Sequence, residues 1–201
     1  MSEEIKKFKI TIDGQITEVA PGTTILNAAR QIGGKSVPPA MCYYSKLENS
    51  GGRCRTCLVE VSKGSEADPR PMPKLVASCR TTVMDGMEVK NLTSEKTQEA
   101  RKAVTEFLLL NHPLDCPICD QAGECHLQDL GYEHGNQMTR TDFERNTYEA
   151  DDLGPNIKLN MNRCILCARC VLVANQLTDQ RDHGLLFRGE KAEISPYLNK
   201  A

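Results

Sequence analysis

The ten cysteines of this 201-residue chain fall into three groups, and their spacing constrains the fold more than any other feature. Cysteines that have two residues between them seldom bridge each other, but they can bind one metal centre. The N-terminus is charged and lacks the apolar region of a secretion signal, so the default compartment is the cytoplasm. Disulfides are disfavoured there. We therefore interpret the cysteines as ligands of metal centres and not as disulfide partners.

The composition excludes several classes of function. A formal net charge of −2 gives no reason to expect binding to nucleic acid or to an anionic membrane surface. The longest apolar run, Phe107–Leu110, is far shorter than a membrane span, so we expect no direct membrane insertion. With no tryptophan, four phenylalanines and five tyrosines, the chain is expected to have long loops and a modest apolar core.

The first group of cysteines has the spacing C-x11-C-x2-C-x21-C. Zinc ribbons use two C-x2-C pairs, whereas this group has one such pair and two separate cysteines. Plant-type [2Fe–2S] ferredoxins share that layout, although their first gap is shorter. Gly51-Gly52 allows the backbone to come close to a cluster and to turn amide N–H groups toward sulfur. We predict a [2Fe–2S] cluster, with zinc and buried free thiols as alternatives, and the ligands Cys42, Cys54, Cys57 and Cys79.

The second group has one histidine and three cysteines within fourteen residues, spaced H-x3-C-x2-C-x5-C. Spacing alone leaves two centres open, because three cysteines and one histidine also form structural zinc sites. The compact block, with Pro113, Pro117 and Gly123, favours a loop that wraps around the larger [4Fe–4S] cluster. The predicted ligands are His112, Cys116, Cys119 and Cys125.

The third group is a C-x2-C-x2-C run, the core of the bacterial [4Fe–4S] signature. In that signature the fourth cysteine stands further along the chain, before a proline, and no cysteine follows the third group here. We expect a second [4Fe–4S] cluster that lacks its fourth ligand in this chain, at a labile or empty site. The predicted ligands are Cys164, Cys167 and Cys170.

The first segment is predicted to be rich in β-structure. Lys7–Ile12 alternates apolar and polar residues and Ile16–Val19 does so more weakly, with the hairpin signal Asp13-Gly14 between them. After a short helix, two further strands are predicted at Cys57–Val61 and Met87–Val89. Two strands, a helix and returning strands follow each other in the order of a β-grasp domain.

Two helices are predicted from their caps and apolar spacing. Thr23 or Thr24 caps the short helix, and Gly33-Gly34 ends it. A longer helix is predicted to begin at the N-cap Ser94 and to end near Asn111, because Pro113 disfavours helical backbone before it. Its predicted apolar face consists of Ala100, Ala103, Val104, Phe107 and Leu108.

Four motifs in this order carry a resemblance to a known family: CYYSKLENSGGRCRTCLVEV, ASCRT, HPLDCPICDQAGECHLQDLGY and RCILCARCV. Together they resemble the N-terminal part of the large iron–sulfur subunit of bacterial NADH:quinone oxidoreductase, respiratory complex I. The gamma (diaphorase) subunit of NAD-reducing hydrogenases and some NAD-linked formate dehydrogenases carry similar modules. The match runs from about Phe8 to Arg188, and its block of one histidine and three cysteines is highly specific.

The resemblance implies an α+β fold in three domains. A β-grasp [2Fe–2S] ferredoxin-type domain would span residues 1–93. Residues 94–146 would form the linking helix and a small, mostly helical domain with the histidine-ligated [4Fe–4S] cluster, which favours iron–sulfur over zinc at the second group. An incomplete [4Fe–4S] ferredoxin-type domain would span residues 147–201. The family's last cysteine for the third cluster lies beyond Ala201, which suggests a truncated product or a short relative.

The resemblance also implies a function, an electron relay without a substrate site of its own. Electrons would arrive from a flavin subunit that oxidises NADH and pass toward quinone, with other peripheral-arm subunits as further partners. The expected location is cytoplasmic, associated through the complex with the inner face of the cell membrane. The alternatives are the electron relay of a soluble NAD-linked hydrogenase or formate dehydrogenase and, in another class, a zinc-stabilised structural or interaction module.

Overall fold

The structure, a computed structural model, describes residues 7–136, 138–152, 155–178, 181 and 183–196. The chain forms two compact units that both contain helices and strands. One consists of Met1–Ala40 and Arg55–Thr105, and the other of Met41–Cys54 and Glu106–Ala201. None of the described helices is both long enough and apolar enough to cross a membrane.

The first unit is built on one sheet and two helices. The order of the described strands across the sheet is second, first, fifth, third and fourth. The first and fifth strands are parallel, and the other neighbouring pairs are antiparallel. In chain order the elements are β1 (Phe8–Ile12), β2 (Gln15–Val19), α1 (Ile25–Ile32), β3 (Leu58–Lys63), β4 (Val76–Ala77), β5 (Met87–Lys90) and α2 (Glu95–Leu109).

The predicted hairpin is confirmed. Ile12 of β1 lies opposite Gln15 of β2, which leaves Asp13 and Gly14 as a two-residue loop. Both loop residues have positive φ, 48° and 83°, as the turn that matches the twist of two antiparallel strands requires. Aspartate tolerates this conformation better than most residues, and glycine adopts it without steric cost.

The predicted short helix is also confirmed, and Thr24 is the residue that caps it. Its Oγ1 accepts a hydrogen bond from Asn27 N at 3.3 Å, and Gly33 ends the helix with a φ of 80°. Its buried face packs into the core of this unit, which is formed by Ile10, Ile12, Val19, Ile25, Ala28, Ala29, Val59, Val61, Val83, Met87 and Val89.

The longer helix begins where predicted, but its fully buried residues are not those of the predicted apolar face. Ser94 caps it, since Ser94 Oγ accepts a hydrogen bond from Thr97 N at 3.2 Å. The buried residues are Thr97, Arg101 and Thr105, whereas Phe107 is 75% exposed. The physical reason is that Nε and Nη2 of Arg101 donate to the carbonyls of Thr56 and Leu58 and to the side chain of Asn91, which offsets part of the cost of burying the side chain. An apolar pattern cannot reveal this compensation.

The second unit has short elements and long connections. Its apolar cluster contains Met41, Cys42, Cys54, Leu127 and Leu130. Turns of 3₁₀ helix at Cys116–Ile118 and Met161–Arg163 precede cysteines of the second and third groups. In chain order the other described elements are α3 (His126–His134), β6 (Asp151–Asp152), β7 (Lys158–Leu159), α4 (Arg169–Leu177), β8 (His183–Leu186) and β9 (Glu193–Pro196). β6 pairs with β7 and β8 with β9, both antiparallel.

Asp13 connects the hairpin loop to the segment after β5. Its carboxylate accepts hydrogen bonds from the backbone N–H groups of Asn91 (2.8 Å), Leu92 (3.0 Å) and Thr93 (3.3 Å), and from the Thr93 hydroxyl at 2.7 Å. Partial burial acts to raise the pKa of Asp13, but the hydrogen bonds from Thr93, Leu92 and Asn91 outweigh it and hold the pKa below its ordinary value of 3.8.

The lowered pKa of Asp13 leads to a prediction about stability and pH. Because the folded state favours the ionised carboxylate, Asp13 contributes its full stabilisation above pH 3.8 and loses it as the pH falls through the lower folded-state pKa. We expect Asp13→Asn, which keeps an acceptor but no charge, to lower the free energy of unfolding at pH 7 by on the order of 1 kcal/mol. Urea titrations at pH 7 and pH 3 measure the effect, which should shrink at the lower pH.

Glu18→Gln is the matched control, because it removes one negative charge from the exposed part of the same hairpin. It should change the free energy of unfolding by about 0.5 kcal/mol or less at either pH. An equal effect of the two substitutions at pH 7 would show that the backbone hydrogen bonds of Asp13 do not stabilise this unit.

Candidate metal centres

Two cysteines of the first group meet in the first unit. Cys57 directly precedes β3 and Cys79 follows β4, and the pairing of Leu58 with Ala77 brings the two strand ends together. The Cys57 and Cys79 sulfur atoms lie 3.3 Å apart, and both residues are buried. Ser78 N also donates a hydrogen bond to the Cys57 carbonyl at 3.1 Å. The pairing of β3 with β4 therefore places two thiols side by side.

The electrostatics of this pair matter for metal binding. The hydrogen bond with Cys79 and then burial raise the pKa of the Cys57 thiol far above its usual range. Two thiolates at this distance repel each other, so ionisation of one thiol disfavours ionisation of the other until a cation compensates the charge. Metal ligands must be deprotonated, so binding at this pair releases protons.

Two buried polar atoms beside this pair fit a sulfur-containing centre. Ser78 Oγ and Arg101 Nη1 are both buried; the Ser78 hydroxyl acts on the Cys57 thiol and lowers its pKa, whereas Arg101 Nη1 has no hydrogen-bond partner in the described part of the chain. Ser78 is the residue before Cys79, and Arg101 donates to the backbone on both sides of Cys57. Inorganic sulfides and thiolates accept hydrogen bonds, and such bonds adjust the potentials of iron–sulfur clusters. The surroundings of this pair thus suit a [2Fe–2S] group.

The other two cysteines of the first group lie in the second unit. Cys42 Sγ accepts backbone hydrogen bonds from Arg53 N at 3.3 Å and Cys54 N at 3.4 Å. Gly51 and Gly52 have φ values of 98° and 79°, which glycine adopts without strain and which let this loop fold back on Cys42. The hydrogen bond with the Cys54 thiol and then burial raise the pKa of Cys42. This loop therefore directs amide N–H groups at sulfur.

The four predicted ligands of the second group line one cavity of about 520 Å³ in the second unit. His112 follows α2 directly, and its N–H donates to the Leu109 carbonyl at 3.1 Å. Cys116 begins a 3₁₀ turn that ends before Cys119, and Cys125 occupies the N-cap position of α3. Between them, Gly123 has a φ of 87°. The loop and two helix ends thus direct one imidazole and three thiols toward a common space.

Burial and nearby arginines favour the neutral form of the His112 imidazole, which is the form that binds metal. Burial lowers the pKa of His112, Arg163 and Arg145 act in the same direction, and Asp115 opposes them. The imidazole is therefore neutral near pH 7, as a metal ligand must be. Arg163 lines the same cavity and forms an ion pair with Asp115, with Nη2 and Oδ2 3.1 Å apart. A cation thus lies where a group bound by three thiolates would carry negative charge.

The third group lies on a strained turn before α4. Leu166 and Ala168 have φ values of 54° and 56°, a conformation that costs free energy for residues other than glycine and is concentrated at functional sites. Leu166 N donates to Cys164 Sγ at 3.3 Å, and Cys170 lies in the first turn of α4. Burial raises the pKa values of Cys164 and Cys170.

The predicted ligands of the first group thus form two pairs, those of the second group line one cavity, and those of the third group lie along a turn. In the described part of the chain, no three His, Cys, Asp or Glu side chains are arranged to hold a single metal ion. The ligand sets of all three groups stay predictions. Sequence reasoning missed Arg101, and its one signal was the four-residue spacing of Thr97, Arg101 and Thr105 along α2, a polar stripe that is usually solvated.

Three family models match the chain. A 2Fe-2S iron-sulfur cluster binding domain matches residues 6–94. The iron-sulfur binding region of NADH-ubiquinone oxidoreductase-G matches residues 101–140. The ferredoxin-like domain of NADH-quinone oxidoreductase subunit 3 matches residues 154–201. The chain therefore has a 2Fe–2S domain and 4Fe–4S binding regions, within a fold of mixed α and β content.

Two curated relatives belong to the same kind of oxidoreductase as these family models. The chain is 42% identical over 193 residues to the G subunit of NADH-quinone oxidoreductase from Rickettsia bellii, a match that covers 96% of this chain and 27% of that protein. It is 44% identical over 191 residues to the NADH-ubiquinone oxidoreductase 75 kDa subunit of Reclinomonas americana, covering 95% of this chain and 26% of that protein. The chain thus spans about a quarter of the length of these curated relatives.

A solved structure is similar as well. A chain in the crystal structure of NAD+-reducing [NiFe]-hydrogenase in the H2-reduced state matches with a TM-score of 0.80 and 28% identity. The match covers 94% of this chain and 75% of that one. The hydrogenase chain shares the fold, but the sequence identity to the two oxidoreductase subunits is higher. From its three iron–sulfur regions and these relatives, we conclude that the chain belongs to the family of the 75 kDa (G) subunit of NADH-quinone oxidoreductase and corresponds to its N-terminal iron–sulfur region.

Proposed function

We propose that this chain is an electron relay that carries electrons from an NADH-oxidising flavin partner toward quinone in a complex I-like assembly. The observation that carries the proposal is the match to the 75 kDa-type subunit across regions in which predicted cluster ligands lie side by side or around one cavity. When bound, the clusters would supply one-electron oxidation and reduction. The residues of the chain would hold them, exclude water and adjust their potentials.

We further propose the ligand sets. Cys42, Cys54, Cys57 and Cys79 would bind the [2Fe–2S] cluster in a β-grasp ferredoxin-type domain. The order of the five described strands, with α1 after the hairpin, supports this fold. Each pair of thiols is already in contact within its own unit, and Cys54 and Cys57 are joined through only two residues.

For the second cluster, we propose His112, Cys116, Cys119 and Cys125 as the ligands of a [4Fe–4S] centre. The shared cavity and the neutral imidazole support this set. Zinc would need the same donors in a compact tetrahedron, whereas a cubane needs a wider space. Cys164, Cys167 and Cys170 would hold a further cluster by three of its corners.

A second candidate function is the electron relay of a soluble NAD-linked hydrogenase. It is favoured by one observation, the fold similarity to a chain of the NAD+-reducing [NiFe]-hydrogenase. The relay chemistry would be the same, and only the partners would differ. Reduction of the reconstituted chain by NADH in the presence of each candidate flavin partner distinguishes the two, because the cognate partner transfers electrons faster.

Cofactor content is the direct test of the relay. Anaerobically reconstituted protein should contain at least about six iron and six acid-labile sulfide atoms per chain, as one [2Fe–2S] and one [4Fe–4S] cluster require. Dithionite reduction should produce two distinct EPR signals. Cys42→Ser with Cys54→Ser should remove one signal and leave the other. Stoichiometric zinc without sulfide would contradict the proposal and favour a structural zinc module.

His112 allows a sharper test of the second cluster. His112→Cys replaces a neutral imidazole by a thiolate, which adds one negative charge and disfavours the reduced state. The cluster should survive, and its midpoint potential should fall by on the order of 100 mV in an EPR-monitored redox titration. His134→Cys is the control, because it introduces the same thiol at the end of α3, outside the set of residues that line the cavity. If the two variants have the same midpoint potential as the unsubstituted chain, His112 is not a ligand.

A further inference from the structure

Arg101 is a buried cation without a role in the electron relay proposed above. Its side chain lies in the first unit, and the residue is 1% exposed. Arginine is almost never buried to this extent unless a carboxylate pairs with it. In the described part of the chain, Arg101 forms no ion pair with any carboxylate. A charge in this position needs another source of compensation.

The hydrogen bonds of Arg101 place its guanidinium behind Cys57. Nε donates to the Thr56 carbonyl at 3.3 Å, and Nη2 donates to the Leu58 carbonyl at 3.4 Å, which are the residues on either side of Cys57. Nη2 also donates to Asn91 Oδ1 at 2.6 Å. Nη1 is buried, and the described residues offer it no partner. One N–H-bearing nitrogen of the fork is therefore unused.

Arg101 is connected through hydrogen bonds to the backbone around Cys57 and, through Asn91, to Asp13. Burial lowers the pKa of Arg101, while a charge on Cys57 and, less strongly, the Asp13 carboxylate raise it. Asp13 accepts hydrogen bonds from the backbone of Asn91 and its two successors, and Asn91 in turn contacts Arg101. A guanidinium keeps its proton even when buried. The residue between the two backbone acceptors of Arg101 is Cys57, which becomes a thiolate when it binds a metal.

We propose that Arg101 is the internal counter-charge of the [2Fe–2S] site and raises the midpoint potential of that site. The proposal rests on the proposed function, since it assumes that Cys57 is a cluster ligand. Reduction adds one electron, taken from a donor such as a reduced flavin, and forms or breaks no bond. A fixed cation in a low-dielectric interior stabilises the more negative, reduced state. Arg101 acts through its charge and its hold on the Cys57 backbone, and is thus a positioning residue.

A purely structural role makes a different prediction. If Arg101 only anchored the backbone around Cys57, its removal would reduce the amount of cluster bound but leave the midpoint potential of the remaining cluster unchanged. A counter-charge shifts the midpoint potential itself. The two roles are therefore separated by measuring cluster content and potential in the same samples.

The experiment compares four variants of the reconstituted full chain by EPR-monitored redox titration. Arg101→Gln removes the charge and Arg101→Lys keeps it. Asn91→Asp leaves Arg101 in place but sets a carboxylate against it, so it neutralises the same charge even if Arg101→Gln fails to fold. Lys102→Gln is the matched control, because it removes a positive charge from the next position of α2, where the side chain is exposed.

At a fixed solution potential, Arg101→Gln and Asn91→Asp should each lower the ratio of reduced to oxidised [2Fe–2S] cluster at least tenfold. For a one-electron couple this corresponds to a shift of about 59 mV to a more negative potential. Arg101→Lys should retain most of the unsubstituted potential, and Lys102→Gln should not change it. The second cluster serves as an internal reference and should keep its midpoint in all four variants.

Two outcomes would overturn the inference, and they differ in what else they imply. Normal cluster content with an unchanged midpoint in Arg101→Gln or Asn91→Asp would assign Arg101 a structural role only. Zinc without acid-labile sulfide in the unsubstituted chain would overturn the proposed function together with this inference.

Discussion

Cysteine binds metal as a thiolate, and the burial of several thiolates in one place is the physical constraint on which the rest of this chain depends. Each thiolate loses its hydration on burial and repels its neighbours, as the raised pKa values of Cys57 and Cys42 reflect. Metal cations offset most of that cost, and the protein must supply the remainder. In this chain, backbone N–H groups donate to the sulfur atoms of Cys42 and Cys164, and the cations Arg101 and Arg163 lie near predicted ligands.

The two units meet this constraint in different ways. In the first unit, strand pairing above a well-formed apolar core brings Cys57 and Cys79 together. In the second unit, His112 and the other predicted ligands of the second group lie on a loop and at helix ends, and they line one cavity. We therefore expect cofactor binding to contribute more of the folding free energy in the second unit, as in small metal-dependent domains.

Local features were predictable where one short-range interaction dominates. The hairpin at Asp13-Gly14 and the capped helix after Thr24 follow from backbone conformations that few residues adopt. The buried face of α2 was not predictable, because an apolar pattern ranks Phe107 above Arg101. Arg101 is nevertheless buried and Phe107 exposed, because the carbonyls of Thr56 and Leu58 and the side-chain amide of Asn91 accept hydrogen bonds from the guanidinium. Those acceptors come from parts of the chain ten or more residues away.

By itself the sequence determined the kinds of donor atoms, their spacing along the chain and the family that this spacing resembles, because C-x2-C runs and the histidine block are local patterns. It also determined the hairpin and the helix caps, which depend on neighbouring residues. Only the tertiary structure decided that Cys57 lies against Cys79, that His112 shares a cavity with three cysteines and that the buried Arg101 donates to the backbone on both sides of Cys57. These are contacts between residues distant in sequence, and they arise from the packing of the whole unit.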